Sequence, residues 1–165
     1  AKALGATVIG TVSTDAKAEL AKAHGCDHPV IYTRQDFVAE VERITAGAKL
    51  PIVYDSVGKD TFLKSLDCLR PRGLMVTFGN ASGPPDPFPP GILAQKGSLF
   101  LTRPTLFNYI AAQDELETAA AELFAVVTSG KVKIEIGQRY PLSGASTAHR
   151  DLEARKTTGS TIFIV

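Results

Sequence analysis

The sequence predicts an α/β fold, a parallel sheet with helices on both faces, and three observations carry that prediction. Short apolar, β-branched runs alternate with stretches of helical periodicity along most of the chain. The runs are apolar throughout instead of alternating with polar residues, as strands covered on both faces are. The chain has 165 residues, one domain's worth at roughly 100–200 residues per domain.

Residues 1–4 read as a last helical turn stopped by Gly5. Residues 7–12 are the first strand, and Ser13, Thr14 and Asp15 open a helix to His24 with Ala16, Leu20 and Ala23 on one face. A strand that ends in hydroxyls at a helix start offers backbone N–H groups and a positive dipole end to an anion. Residues 30–32 form a short strand; Phe37, Val38, Val41 and Ile44 then fall at helical spacing before Gly47. Residues 51–54 are the third strand, its proline at the first position, where a missing donor is tolerated. Asp55, Ser56, Val57 and Gly58 follow, then a helix at 61–69 carrying Phe62, Leu66 and Leu69 inward. Residues 70–73, Arg-Pro-Arg-Gly, break it, and residues 74–78 are the fourth strand.

Five prolines in residues 84–90 make a stiff surface loop, followed by an apolar strand at 99–101. Asp114 and Glu117 have capping-box spacing, and Leu116, Ala119, Ala120, Leu123, Phe124 and Val127 form one stripe before Gly130. Beyond it come a strand at 132–136, an extended Tyr140-Pro141-Leu142, a helix at 146–156 and a final strand at 161–165.

Composition narrows the function. A net charge of +1 with interspersed charges argues against a nucleic-acid or acidic-membrane partner. No apolar run approaches the roughly 20 residues that span a bilayer, and a signal-peptide layout is absent from the first residues. The expectation is a soluble, cytoplasmic protein. Cys26 and Cys68 are expected as two small buried thiols, although one disulfide is formally possible. His24-x-Cys26-x-His28 lacks a second ligand cluster, so no metal site is assigned. No G-x-S-x-G turn or P-loop occurs, and His149 has no partner visible in sequence.

In an open parallel sheet, ligands sit at the carboxyl ends of the strands. Thr11, Ser13, Thr14 and Lys17 stand there from the first strand, Tyr32 and Arg34 from the second, Asp55, Ser56 and Gly58 from the third, and Phe78, Gly79, Asn80 and Ser82 from the fourth. The first strand ends without the carboxylate that grips the ribose 2′-hydroxyl of NAD. Hydroxyls with Lys17, Tyr32 and Arg34 suit an added 2′-phosphate, a dianion that gains from charge-assisted hydrogen bonds. NADP(H) is therefore the expected cofactor.

Several stretches carry a resemblance. Val53-Tyr54-Asp55-Ser56-Val57-Gly58, Ser65-Leu66-Asp67-Cys68-Leu69, Gly73-Leu74-Met75-Val76, Phe78-Gly79-Asn80-Ala81-Ser82-Gly83 and Leu101-Thr102-Arg103-Pro104 look like the NADPH-dependent quinone oxidoreductases. Those are zeta-crystallin-like members of the zinc-free branch of the medium-chain dehydrogenase/reductase superfamily. The resemblance implies a Rossmann-type, doubly wound, mostly parallel sheet at 1–131 and a C-terminal segment, 132–165, that returns to a GroES-like catalytic domain. The family's first Rossmann strand, its glycine-rich phosphate loop and that catalytic domain have no counterpart in this sequence. In the order 3-2-1-4-5-6 the missing strand is the central one, so a stable fragment is expected to close the gap by direct pairing or with another chain. The final strand is expected to lose its usual partner.

The resemblance also implies site residues. Lys17 and Tyr32 match positions that hold the 2′-phosphate, with Ser13 close by; Phe78, Asn80, Ala81 and Ser82 match the loop over the nicotinamide half; Arg155 matches a cofactor-contacting arginine. No catalytic side chain and no metal are implied. The strand at 99–101 (Leu99, Phe100, Leu101) matches an edge that pairs across a homodimer, and the implied acceptor is a quinone. The nearest alternatives are an enone or enoyl thioester reductase, and a nucleotide-binding or dimerising fragment with no turnover of its own.

Overall fold

In the computed structural model, which describes residues 1–165, the strands are β1 (Ile9–Val12), β2 (His28–Ile31), β3 (Leu50–Asp55), β4 (Leu69–Thr77), β5 (Phe100–Thr102), β6 (Ile136–Pro141) and β7 (Ser160–Ile164). The helices are α1 (Asp15–Ala23), α2 (Phe37–Ile44), α3 (Phe62–Asp67), α4 (Gly91–Gln95), α5 (Leu106–Tyr109), α6 (Gln113–Thr128) and α7 (Ala145–Glu153). Every strand pairing is parallel, so the α/β class expected from sequence is the one observed. The chain divides into two compact units, Ala1–Leu116 and Glu117–Val165.

The first unit holds two sheets. β1 pairs with β2, and β3–β4–β5 form a second sheet with β4 in the middle. No ladder joins β1 to β3, so of the two expected ways of closing the gap, direct pairing does not occur. Caps explain where the helices start. Thr14 Oγ1 accepts from the Lys17 N–H at the start of α1, and Asp36 Oδ1 from the N–H groups of Val38 and Ala39 at the start of α2. Gly25, at φ +91° beyond α1, supplies a left-handed turn after the helix.

The core of the three-stranded sheet is Phe62, Leu66, Leu69, Met75 and Leu99, and Phe62, Leu66 and Leu69 point inward as the spacing predicts. Each such side chain contributes about 1.5–3 kcal/mol on burial. The loops that follow β3 and β4 hang from this cluster, so it fixes where they begin.

Some expectations are corrected. On α1 the buried residue is Ala18, while Leu20 is exposed; a sheet only two strands wide covers one narrow strip of that helix. Tyr32 lies just past β2. β4 starts at Leu69 and takes in residues 70–73 as an irregularity in the ladder, with Leu50 opposite Leu69 but Ile52 opposite Leu74. At Gly73 a Cβ would meet Arg70 O at 2.9 Å, which explains the glycine. β5 is shifted one residue from the expected 99–101, because Leu99 turns into the core and pairing begins at Phe100. Of the two cysteines, both free, only Cys68 is buried.

At the start of α6 a capping contact is made two residues before the expected Asp114–Glu117 spacing, Glu115 Oε2 accepting from the Ala112 N–H at 3.2 Å. The α6 stripe is not buried: Leu116, Leu123 and Phe124 are all exposed. In the second unit, β6 and β7 enclose α7 in a parallel crossover, with Arg139 opposite Ile162. The final strand therefore has a partner, β6. The strand expected at 132–136 forms four residues later because residues 136–141 are the ones that ladder onto β7. Tyr140 Oη donates to Asp151 Oδ2 at 2.9 Å, tying β6 to α7; that bond, first among its causes, raises the Tyr140 pKa above the ordinary tyrosine value.

Candidate functional site

Register brings the first group of candidates together. Val12 lies opposite Ile31, so Ser13 and Tyr32 leave the two parallel strands side by side. Tyr32 N–H donates to Val12 O at 3.1 Å, and Thr33 Oγ1 donates to Ser13 O at 3.0 Å. Lys17 is in the first turn of α1. Ser13, Tyr32 and Lys17 thus stand at the ends of β1 and β2 and in the adjoining helix turn, residue types suited to a phosphate dianion.

Arg34 departs from the sequence reading. Its guanidinium donates to both oxygens of Asp15, at 2.8 and 2.5 Å, a bidentate pair that commits its charge locally. The Arg34 hydrogen bond, first among its causes, holds the Asp15 carboxyl below the ordinary carboxylate value; desolvation opposes it, and the guanidinium's charge adds to the lowering. Asp15 lies two residues beyond Ser13, and this pair offsets its charge.

The second group stands at the ends of β3 and β4, where Asp55 is opposite Thr77 and Phe78 N–H donates to Asp55 O at 2.8 Å. Here the loops meet backbone to backbone. Ala81 N–H donates to Ser56 O (3.1 Å), Ser82 N–H to Val57 O (2.8 Å) and Lys59 N–H to Gly83 O (3.0 Å). Ser82 Oγ donates to Val57 O at 2.9 Å and accepts from Asp60 N–H at 3.1 Å. A Cβ on Gly79 would lie 2.5 Å from Ser56 O, and one on Gly58 would lie 2.4 Å from Gly83 O. Only glycine allows this approach. Arg103 fastens the other side, donating from Nη1 to Thr77 Oγ1 (3.1 Å) and to Gly79 O (3.0 Å). Phe78 stands exposed with its ring edge-on to Tyr54, and Asn80 and Ala81 are exposed beside it.

Arg155 belongs to the second unit, two residues past α7, at φ +57°. Phe78, Asn80, Ala81 and Ser82 are therefore brought together in one loop, Ser13 and Tyr32 at one strand end with Lys17 in the adjoining helix turn.

Two residues of this region do more than their sequence positions indicate. Asp55 reads in sequence as part of a polar rim, but it is buried, and its carboxylate accepts from residues two, three, six and ten positions later. The signal available was an aspartate at a strand end followed by small residues and then by hydroxyls one helical turn apart, Thr61 and Ser65. Arg103 was quoted only as part of a motif. No three His, Cys, Asp or Glu residues stand together to hold a metal.

The zinc-binding dehydrogenase family model matches residues 1–125. The chain is similar to the quinone oxidoreductase of Pseudomonas aeruginosa, 51% identical over 99% of this chain and 50% of that protein. It superposes on the crystal structure of Escherichia coli quinone oxidoreductase complexed with NADPH with a TM-score of 0.96, at 49% identity, over 99% of this chain and 51% of the other. A 2-haloacrylate reductase from a Burkholderia species is 46% identical over 99% of this chain and 50% of its own length. The chain spans about half the length of the curated relatives it matches.

Proposed function

Because this chain belongs to the zinc-binding dehydrogenase family, we propose that it is the cofactor-binding portion of an NADPH-dependent quinone reductase. The observation that carries this reading is the near superposition on a quinone oxidoreductase complexed with NADPH; the hydroxyl and lysine residues at the ends of β1 and β2 support it. In the proposal residues 1–131 form the partial Rossmann-type domain, and residues 132–165 return to a GroES-like catalytic domain.

NADPH, when bound, would supply the hydride. The chain's own residues hold and orient it. Lys17, Ser13 and Tyr32 take the 2′-phosphate; Phe78, Asn80, Ala81 and Ser82 line the nicotinamide half; Arg155 is a further cofactor-contacting residue. No protein group here needs to donate a proton in that scheme. Although the family is named for zinc, no three His, Cys, Asp or Glu residues of this chain stand together to hold a metal ion.

The test is steady-state NADPH oxidation by the full-length protein with a quinone and with an enone. The quinone is expected to give the higher kcat/KM. Greater efficiency with the enone would replace the quinone assignment by the second reading, an enone or enoyl thioester reductase, which the likeness to a reductase of an unsaturated acid favours. The 165-residue chain by itself is expected to show no enzyme-like turnover.

The same proposal includes a homodimer paired along β5 and a cytoplasmic location. β5 is an edge strand of its sheet with Phe100 exposed, a surface that pairs or aggregates when left open. Light scattering of the full-length protein should give twice the monomer mass, and Leu101→Pro, which removes a ladder donor, should return it to the monomer. Free Cys26 and Cys68 are in line with a reducing compartment, and no helix is long and apolar enough to cross a membrane.

A further inference from the structure

The nicotinamide-side loop is held by a charge that does not reach it. Asp55 ends β3 only 3% exposed. Its Oδ1 accepts from the backbone N–H groups of Val57 (2.8 Å) and Gly58 (3.1 Å), and its Oδ2 from the hydroxyls of Thr61 and Ser65 (both 2.7 Å). Four donors fill the acceptor sites of an ionised carboxylate, and all four are neutral. The turn fixed in this way, residues 56–58, carries the carbonyls of Ser56 and Val57 that receive Ala81 and Ser82.

We propose that Asp55 is a positioning residue for the cofactor: its carboxylate sets the 56–58 turn, and through that turn holds Asn80, Ala81 and Ser82 in a shape ready for the nicotinamide half. The inference rests on the cofactor reading above. Preset contacts matter because binding does not then pay for ordering a loop. Removing the carboxylate leaves two backbone N–H groups and two hydroxyls without their acceptor in a buried place. An asparagine can keep Oδ1 on the two N–H groups and turn its amide toward Thr61 and Ser65, whose hydroxyls rotate to accept.

The experiment compares two ligands on the full-length protein. NADPH reads both halves of the site, and 2′,5′-ADP reads only the end with Ser13, Lys17 and Tyr32. Asp55→Ala should weaken NADPH about tenfold or more, leave 2′,5′-ADP within about twofold, and reduce the fluorescence change of the bound dihydronicotinamide. Asp55→Asn should recover NADPH binding to within about threefold of the parent. If Asp55→Ala does not fold, Thr61→Val decides the matter: it strips one hydroxyl from Oδ2 with little change of shape and should weaken NADPH alone, by about threefold. Unchanged NADPH binding, or equal losses for both ligands, would overturn the positioning role while leaving the cofactor reading intact. A parent protein that binds neither ligand would overturn the cofactor reading and this inference with it.

Discussion

At the end of β1 and β2 the groups on offer are side chains: the hydroxyls of Ser13 and Tyr32, the ammonium of Lys17, and the charged pair Asp15–Arg34. At the end of β3 and β4 the contacts are made by backbone, with carbonyls of residues 56, 57 and 83 paired to N–H groups of the facing loop. The two ends therefore respond to change in different ways. A side-chain end loses affinity when one group is removed, but its shape stays. A backbone end loses its shape when one atom is added.

The largest effect should come from adding that atom. In Gly58→Ala the new Cβ would sit 2.4 Å from Gly83 O, at a residue whose φ is +91°. Backbone strain and overlap with a main-chain carbonyl together should cost about 2–4 kcal/mol. The measurement is the urea midpoint of the full-length variant, read beside Kd for NADPH, which should rise as well. A loss below about 0.5 kcal/mol, the level of an ordinary surface substitution, would mean the loops part easily and would erase the contrast between the two ends.

Removing a group at the other end should act on affinity alone. Lys17→Ala is expected to weaken NADPH about tenfold or more in the full-length protein, with NADH changed by less than about twofold and the urea midpoint little moved. The ammonium is invoked only for the 2′-phosphate, which NADH lacks. Equal losses for the two nucleotides would show that Lys17 does not read that phosphate, and the NADP preference would have to rest on Ser13 and Tyr32.

The same difference explains what the sequence reveals. Residues 7–17 announce a strand, hydroxyls, a helix cap and a lysine in order, and the structure delivers them so, with Thr14 capping α1. Element alternation was equally plain, because apolar strands and 3.6-residue periodicity are local signals. Asp55 was not legible as a hub, since its meaning lies in four donors arranged around it by a strand, a turn and a helix. The Arg34–Asp15 pair was not legible, because the two residues are 19 apart and become neighbours only through β1–β2 pairing. The α6 stripe shows the limit of periodicity. It marks an apolar face but not what covers it, and Phe124 remains 64% exposed.

The smallest effect is expected from acid, and it falls on the β1–β2 side. Asp15, Asp27 and Asp36 are all held below the ordinary carboxylate value of 3.8, first by hydrogen bonds from Arg34, Lys2 and Lys64 respectively. Backbone N–H groups add to this for Asp27, from Val8, and for Asp36, from Val38 and Ala39. A carboxylate whose folded pKa is depressed stabilises the fold above its unfolded value, and that stability is lost as pH falls through the folded value. Loss should therefore begin as pH drops through 3.8 and continue below it. All three residues are solvent-exposed, so screening keeps the loss small and 0.5 M salt should reduce its ion-pair part further. The measurement is the urea midpoint between about pH 5 and pH 2, with Asp36→Asn as the control. The variant should be less stable at the upper end and show a flatter acid limb. A variant with the parent's acid limb would remove Asp36 from the account and leave the α2 cap without a part in it.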